Sequence, residues 1–97
     1  MAGAVDLQWS GDALADLDRF ADFLHAQSPA LAALVAEAII ARTQILSTHP
    51  RLGRPISGRE EYRQIVLQVL GGAYVFQYRY DVDRVVILRV FHARESK

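Results

Sequence analysis

Between Arg59 and Arg94 lie three strand-like runs, the first two alternating with the period of two that marks a strand. In residues 62–70, Arg63, Ile65, Leu67 and Val69 share one face, and Gln64, Val66 and Gln68 share the other. Gly71-Gly72 follows, and paired glycines accept the positive φ of a tight hairpin turn. Residues 73–80 place Tyr74, Phe76, Tyr78 and Tyr80 opposite Val75, Gln77 and Arg79. Asp81-Val82-Asp83 is a second turn, and residues 84–92 form a third run, rich in β-branched Val85, Val86, Ile87 and Val90. The pattern predicts an antiparallel meander whose apolar face needs a cover.

The N-terminal half supplies that cover. Residues 1–4 read as a loose terminus, and Val5–Trp9 as a short strand with Val5, Leu7 and Trp9 inward. Ser10 offers an N-cap hydroxyl, and Asp12 lies in the first helical turn, where the dipole favours an anion. Leu14, Leu17, Ala21 and Leu24 then recur at helical spacing, with Phe20 and Phe23 widening the stripe. Asp16, Asp18, Arg19 and Asp22 fall mostly on the other side, so an amphipathic helix is expected to about Gln27. Ser28-Pro29 restarts a helix over 29–48, with Leu31, Leu34, Val35, Ala38, Ile39, Ile45 and Leu46 at helical spacing. Pro50 ends it near Thr48 or His49, and His49–Pro55 reads as a rigid, basic connector. So short a link between the helices implies an antiparallel hairpin. The expected fold is one α+β domain, ordered β-α-α-β-β-β, with Leu17, Leu24, Val35 and Ile39 between hairpin and sheet.

Composition narrows the function. Ninety-seven residues, 52% of them hydrophobic, suit a single globular core. The absence of cysteine excludes disulfides and thiolate metal sites. No apolar run is expected to span a membrane, and the start lacks a basic segment followed by a hydrophobic one; the expectation is a soluble, cytoplasmic protein. Net charge is zero but unevenly spread. Residues 1–49 carry six acids against two arginines, a balance of −4, and residues 50–97 carry nine cations against five acids, a balance of +4. Ten of the eleven basic residues are arginine, whose planar fork suits carboxylates, phosphates and aromatic faces; the alternative is ordinary surface pairing.

The remaining candidate chemistry is thin. His25, His49 and His92 fall in different elements, so no metal is expected. His92 reads either as a general base or as a strand-end residue shaping the surroundings of Arg94. The stripe Tyr74, Phe76, Tyr78, Tyr80 reads as core with hydroxyls at the rim, or as a platform for stacking bases. No nucleophile elbow or glycine-rich phosphate loop is present.

Taken in order, these features resemble the ParE/RelE toxin superfamily of bacterial type II toxin–antitoxin systems. They are a strand ending in Trp9 before a helix hairpin, then His49-Pro50-Arg51-Leu52-Gly53-Arg54-Pro55, Arg63, Tyr74–Arg79 and Val86–Arg94. The resemblance covers roughly Val5 to Arg94. It implies the fold just read and one of two activities. RelE-like members cut mRNA in the ribosomal A site; ParE-like members poison DNA gyrase. Both are held inactive by a cognate antitoxin whose C-terminal segment wraps the toxin.

The resemblance places two nuclease cations at Arg63 and Arg94, but Val75 stands at the middle-strand arginine, and no tyrosine-bearing helix follows Arg94. Zero net charge also suits docking on ribosomal RNA poorly. The resulting expectation is a ParE-like gyrase inhibitor that acts by binding. It would use no catalytic residue, cofactor or metal, and bind neither DNA nor membrane directly. Its partners would be the antitoxin and DNA gyrase, and its target-binding residues Arg63, Arg79, Arg89, His92 and Arg94. The alternatives are a RelE-like mRNA endoribonuclease and a non-toxic homologue that only binds antitoxin.

Overall fold

The computed structural model describes residues 4–94. Positions 1–3 of the expected loose terminus lie outside them. The elements are β1 (Asp6–Trp9), α1 (Gly11–His25), α2 (Pro29–Thr43), the single turn α3 (Ile45–Thr48), β2 (Arg54–Ile56), β3 (Arg59–Val69), β4 (Gly72–Asp81) and β5 (Arg84–His92). They form a five-stranded mixed sheet in the order β1-β5-β4-β3-β2. The expected α+β fold, a strand and helix hairpin followed by a meander, is the one observed.

The alternating runs form the sheet as the pattern predicts. Tyr74, Phe76 and Tyr78 are buried, as are Leu67 and Val69 beside them and Val85, Ile87 and Val90 on β5. Val35 and Ile39 of α2 complete this core, with Leu17 and Leu24 of α1 packed against it. Ser10 and Ser28 cap the two helices, accepting from the Ala13 and Leu31 amides at 3.0 and 3.2 Å.

Several details differ from expectation. Val69 pairs with Gly72, so the first hairpin loop is Leu70-Gly71, one residue earlier than expected. Both loop residues have positive φ, 49° and 86°, as a two-residue hairpin loop requires. That register keeps Val69 and Tyr74 on the buried face; a slip of one would turn a whole strand outward. Asp81 pairs with Arg84, leaving Val82-Asp83 as the second loop. The connector contains an extra edge strand, β2, antiparallel to β3, and its Pro55 is tolerated because β2 has one neighbour only. β1 joins β5 in parallel, a pairing that periodicity does not specify.

Both helices are rotated from the expected stripes. Leu14, Phe23, Leu31 and Leu34 are exposed, at 49%, 67%, 39% and 57%. Ala13, Asp16, Phe20, Ala32, Val35 and Ile39 face inward. The second helix also stops at Thr43, where the Gln44 amide tightens onto Ala41 O at 3.2 Å before α3 begins. Contrary to the expectation about apolar runs, Pro29–Thr48 is long and apolar enough, by length and composition alone, to cross a membrane. In this fold it lays one side on the sheet.

The connector is fastened from inside. Tyr78 Oη donates to Pro50 O at 2.7 Å and accepts from the Gly53 amide at 2.9 Å. Arg63, only 6% exposed, donates to Gly53 O at 2.8 Å, Arg51 O at 3.3 Å and Glu60 O at 3.0 Å. Its guanidinium also meets the Glu60 carboxylate at 2.6 Å. A Cβ at Gly53 would stand 2.7 Å from Gln64 O and 2.8 Å from Tyr78 Oη, so no side chain fits there.

Gly53→Ala is therefore expected to destabilise the fold by about 1–3 kcal/mol, and Ile39→Ala by about 2–5 kcal/mol. At roughly 4–8 °C per kcal/mol for a domain this size, both losses register in thermal unfolding. An unchanged midpoint for Ile39→Ala would contradict the packing of hairpin on sheet.

Candidate functional site

β1 accompanies β5 only as far as the pair Trp9–Ile87. Beyond it the outer edge of β5 would be bare, and a bare edge must find partners or water. The start of α1 provides them. The Ser10 amide donates to Ile87 O at 2.9 Å, Ser10 Oγ to Leu88 O at 3.0 Å, and the Val90 amide to Asp16 Oδ2 at 2.8 Å. Leu88 is an extra residue in β5, since Tyr78 pairs with Ile87 and Gln77 with Arg89. This β-bulge resets the alternation, so that Val85 and Ile87 and then Val90 are buried.

Asp16 is 2% exposed and accepts from three residues on two elements. Besides Val90, Arg89 grips it with two nitrogens, Nε at 2.8 Å and Nη2 at 3.0 Å, and Arg19 Nη1 lies 2.7 Å away. Burial alone would raise its pKa. The Arg89 guanidinium, the Val90 amide and Arg19 outweigh that and hold the carboxyl below the ordinary carboxylate value. The arginines arrive from both sides, so α1 and β5 are clamped through one ion.

Beside this clamp lies a groove of about 460 Å³, lined by Arg19, Phe20, Phe23 and Leu24 of α1, Tyr74 of β4, His92 at the end of β5, and Arg94. Phe20 meets Tyr74 edge-on at 5.4 Å between centroids, and Tyr74 meets His92 edge-on at 5.0 Å. The Arg19 guanidinium lies 4.9 Å over the Phe20 ring. His92 Nδ1 accepts from the Arg94 amide at 3.1 Å, so Nε2 is the nitrogen that carries any proton on a neutral ring. That nitrogen approaches Gly72, where a Cβ would stand 3.3 Å away.

Of the five residues expected to bind the target, His92 and Arg94 line this groove and Arg89 adjoins it through Asp16. Arg63 and Arg79 lie elsewhere. Arg63 is enclosed in the connector. Arg79 pairs with Asp81 at 3.2 Å and, with Arg59, flanks the Tyr62 ring at 6.0 and 4.7 Å. Val75 sits between Val66 and Phe91 in the register. Sequence reasoning missed the contribution of α1. The available signal was excess: α1 carries more large apolar residues than one face can bury, and Phe23 is left outside. Among the described residues, no three of His, Asp and Glu gather closely enough to hold a metal.

Asp16→Asn is expected to cost about 2 kcal/mol at neutral pH, where charge-assisted hydrogen bonds are lost and the partly exposed Arg89 rehydrates. The folded-state pKa is depressed, so this stabilisation is present above the unfolded carboxylate value of about 3.9 and is lost as pH falls through the folded value. Melting curves of wild type and Asp16→Asn should therefore be well separated at neutral pH and converge in strong acid. A gap that persists there would mean that the charge of Asp16 is not what stabilises.

Comparison with known proteins agrees with this architecture. The family described as ParE toxin of type II toxin-antitoxin system, parDE, matches residues 7–97. Toxin RelE3 of Caulobacter vibrioides is 32% identical over 82 residues, 84% of this chain and 87% of that protein. Among solved structures, the chromosomal ParDE system of P. aeruginosa superposes with a TM-score of 0.73 at 23% identity, covering 94% of this chain and 98% of that one. The RelBE2 toxin–antitoxin complex of Mycobacterium tuberculosis gives 0.59 at 24% identity, covering 92% and 98%. Its sheet, its helix hairpin and a family match over nearly its whole length place the chain in the ParE toxin family of type II toxin–antitoxin systems.

Proposed function

We propose that this toxin acts by binding, in the cytoplasm, that DNA gyrase is its target, and that a cognate antitoxin masks it. The supporting observation is the internal pairing of its arginines. Metal-free RNA cleavage needs a base near the 2′-hydroxyl and cations converging on the phosphorane. Here Arg63 is enclosed by Glu60 and connector carbonyls, Arg79 pairs with Asp81, and Arg89 is held by Asp16. These cations diverge and serve the fold. What projects outward beside His92 is Arg94, on an apolar groove of the kind that suits protein contacts. The antitoxin reading draws on family membership and on the neighbour solved as a toxin–antitoxin complex.

One observation favours the nuclease reading instead: His92, Tyr74, Arg19 and Arg94 do share one groove, and such groups can move protons and hold phosphate. Two assays on purified toxin separate the readings. On ours, gyrase supercoiling is inhibited, translated mRNA stays intact in primer extension, and Arg94→Ala weakens inhibition at least tenfold, or about 1.4 kcal/mol. Arg94 is exposed beyond the end of β5, so its removal should leave the melting temperature in place. Codon-positioned cleavage with normal supercoiling would reject the gyrase reading.

A further inference from the structure

The groove between α1 and the end of β5 has the size and lining of a small-ligand site. Its volume, about 460 Å³, falls within the roughly 300–1,000 Å³ of ordinary ligand pockets. Its floor is apolar, made by Phe20, Leu24 and Tyr74, and Phe23 stands 67% exposed at the lip. Its rim offers hydrogen-bond donors: the guanidiniums of Arg19 and Arg94, and His92, whose Nδ1 already accepts the Arg94 amide at 3.1 Å and whose neutral ring therefore carries its proton on Nε2. No carboxylate lines it among the described residues. Apolar floor and donor rim together ask for a molecule that is greasy at one end and an anionic acceptor at the other.

Two features narrow the class further. Phe20 and Tyr74 are 9% and 6% exposed and meet edge-on, so neither offers the open ring face that a stacked base needs. Outside the groove α1 presents Asp12, Asp18 and Asp22 to solvent, so a polyanion laid along the helix meets carboxylates, whereas a molecule charged at one end only need not. The exposed Arg94 guanidinium is a planar fork that matches one carboxylate with two parallel hydrogen bonds. We infer that this groove binds a small amphipathic carboxylate, its aromatic or branched body on Phe20, Phe23, Leu24 and Tyr74 and its carboxylate on Arg94. The apolar body supplies most of the affinity, and the ion pair fixes which way round the molecule sits. The site goes beyond the target proposed above and does not depend on it.

The probe is cinnamate, an aromatic ring joined to one carboxylate, titrated into the full-length, isotope-labelled toxin and followed through its backbone amide resonances. Saturable shifts are expected at Phe23, Leu24, Tyr74 and His92, and none at Val82, which is 92% exposed in the loop at the far end of β5. Cinnamyl alcohol, the same body without the charge, and acetate, the charge without the body, should each bind at least about fivefold more weakly. Arg94→Gln should weaken cinnamate at least about fivefold and leave cinnamyl alcohol as it was, whereas Phe23→Ala should weaken both. Both residues are exposed, so both variants should melt with the wild type. Val82→Ala should bind cinnamate as the wild type does. Equal affinity for cinnamate and cinnamyl alcohol would mean that Arg94 selects no anion, and equal affinity for acetate would mean that the floor holds no body; either result overturns the inference. So would the absence of saturable shifts, shifts centred away from the groove, or unchanged cinnamate affinity in Arg94→Gln.

Discussion

The fold depends on a carboxylate placed where a sheet edge would otherwise be left open. β5 loses its parallel neighbour after Ile87, and Asp16 takes over by accepting the Val90 amide directly. A neutral acceptor could satisfy that amide. The charge adds Arg89 and Arg19, so that helix, strand and surface are tied through one buried atom pair. Once α1 is set by Asp16, its rotation follows: Phe20 reaches Tyr74, Phe23 is left outside, and a groove opens between them.

This explains what was legible in the sequence and what was not. The strands, the helix hairpin and the helix caps were legible, because period, β-branching and cap chemistry are local. The rotation of α1 was not, because an aspartate on an apolar helix looks solvent-facing until its partners are known, and these lie 73 and 74 residues away. The hairpin loop was misplaced by one residue because glycine pairs advertise a turn without saying which glycine turns. β2 was hidden by its proline and its three-residue length. Of the candidate site, the strand-end histidine and arginine were legible, and the helical half was read as core.

The uneven charge of the chain has a structural counterpart. The excess of acid in the first half and of arginine in the second left open whether the arginines face a partner or pair within the chain. Part of it is consumed between the halves, where Asp16 of α1 holds Arg89 of β5. Much of the rest is neutralised locally, by Glu60, Glu61 and Asp81. Counting arginines therefore overstates the outward field, and the position of the few that project beside apolar surface matters more than their number.

The strand order carries a consequence for synthesis. β1 is made before every other described strand, yet its only neighbour in the sheet is β5, the last strand described. The groove likewise joins an early helix to the final strand. Pairing across such a sequence separation must wait until β5 is available. Without β5, β1 therefore has no strand to pair with and the groove lacks its His92 and Arg94 side, although Val5 can still meet Ser47 of α3.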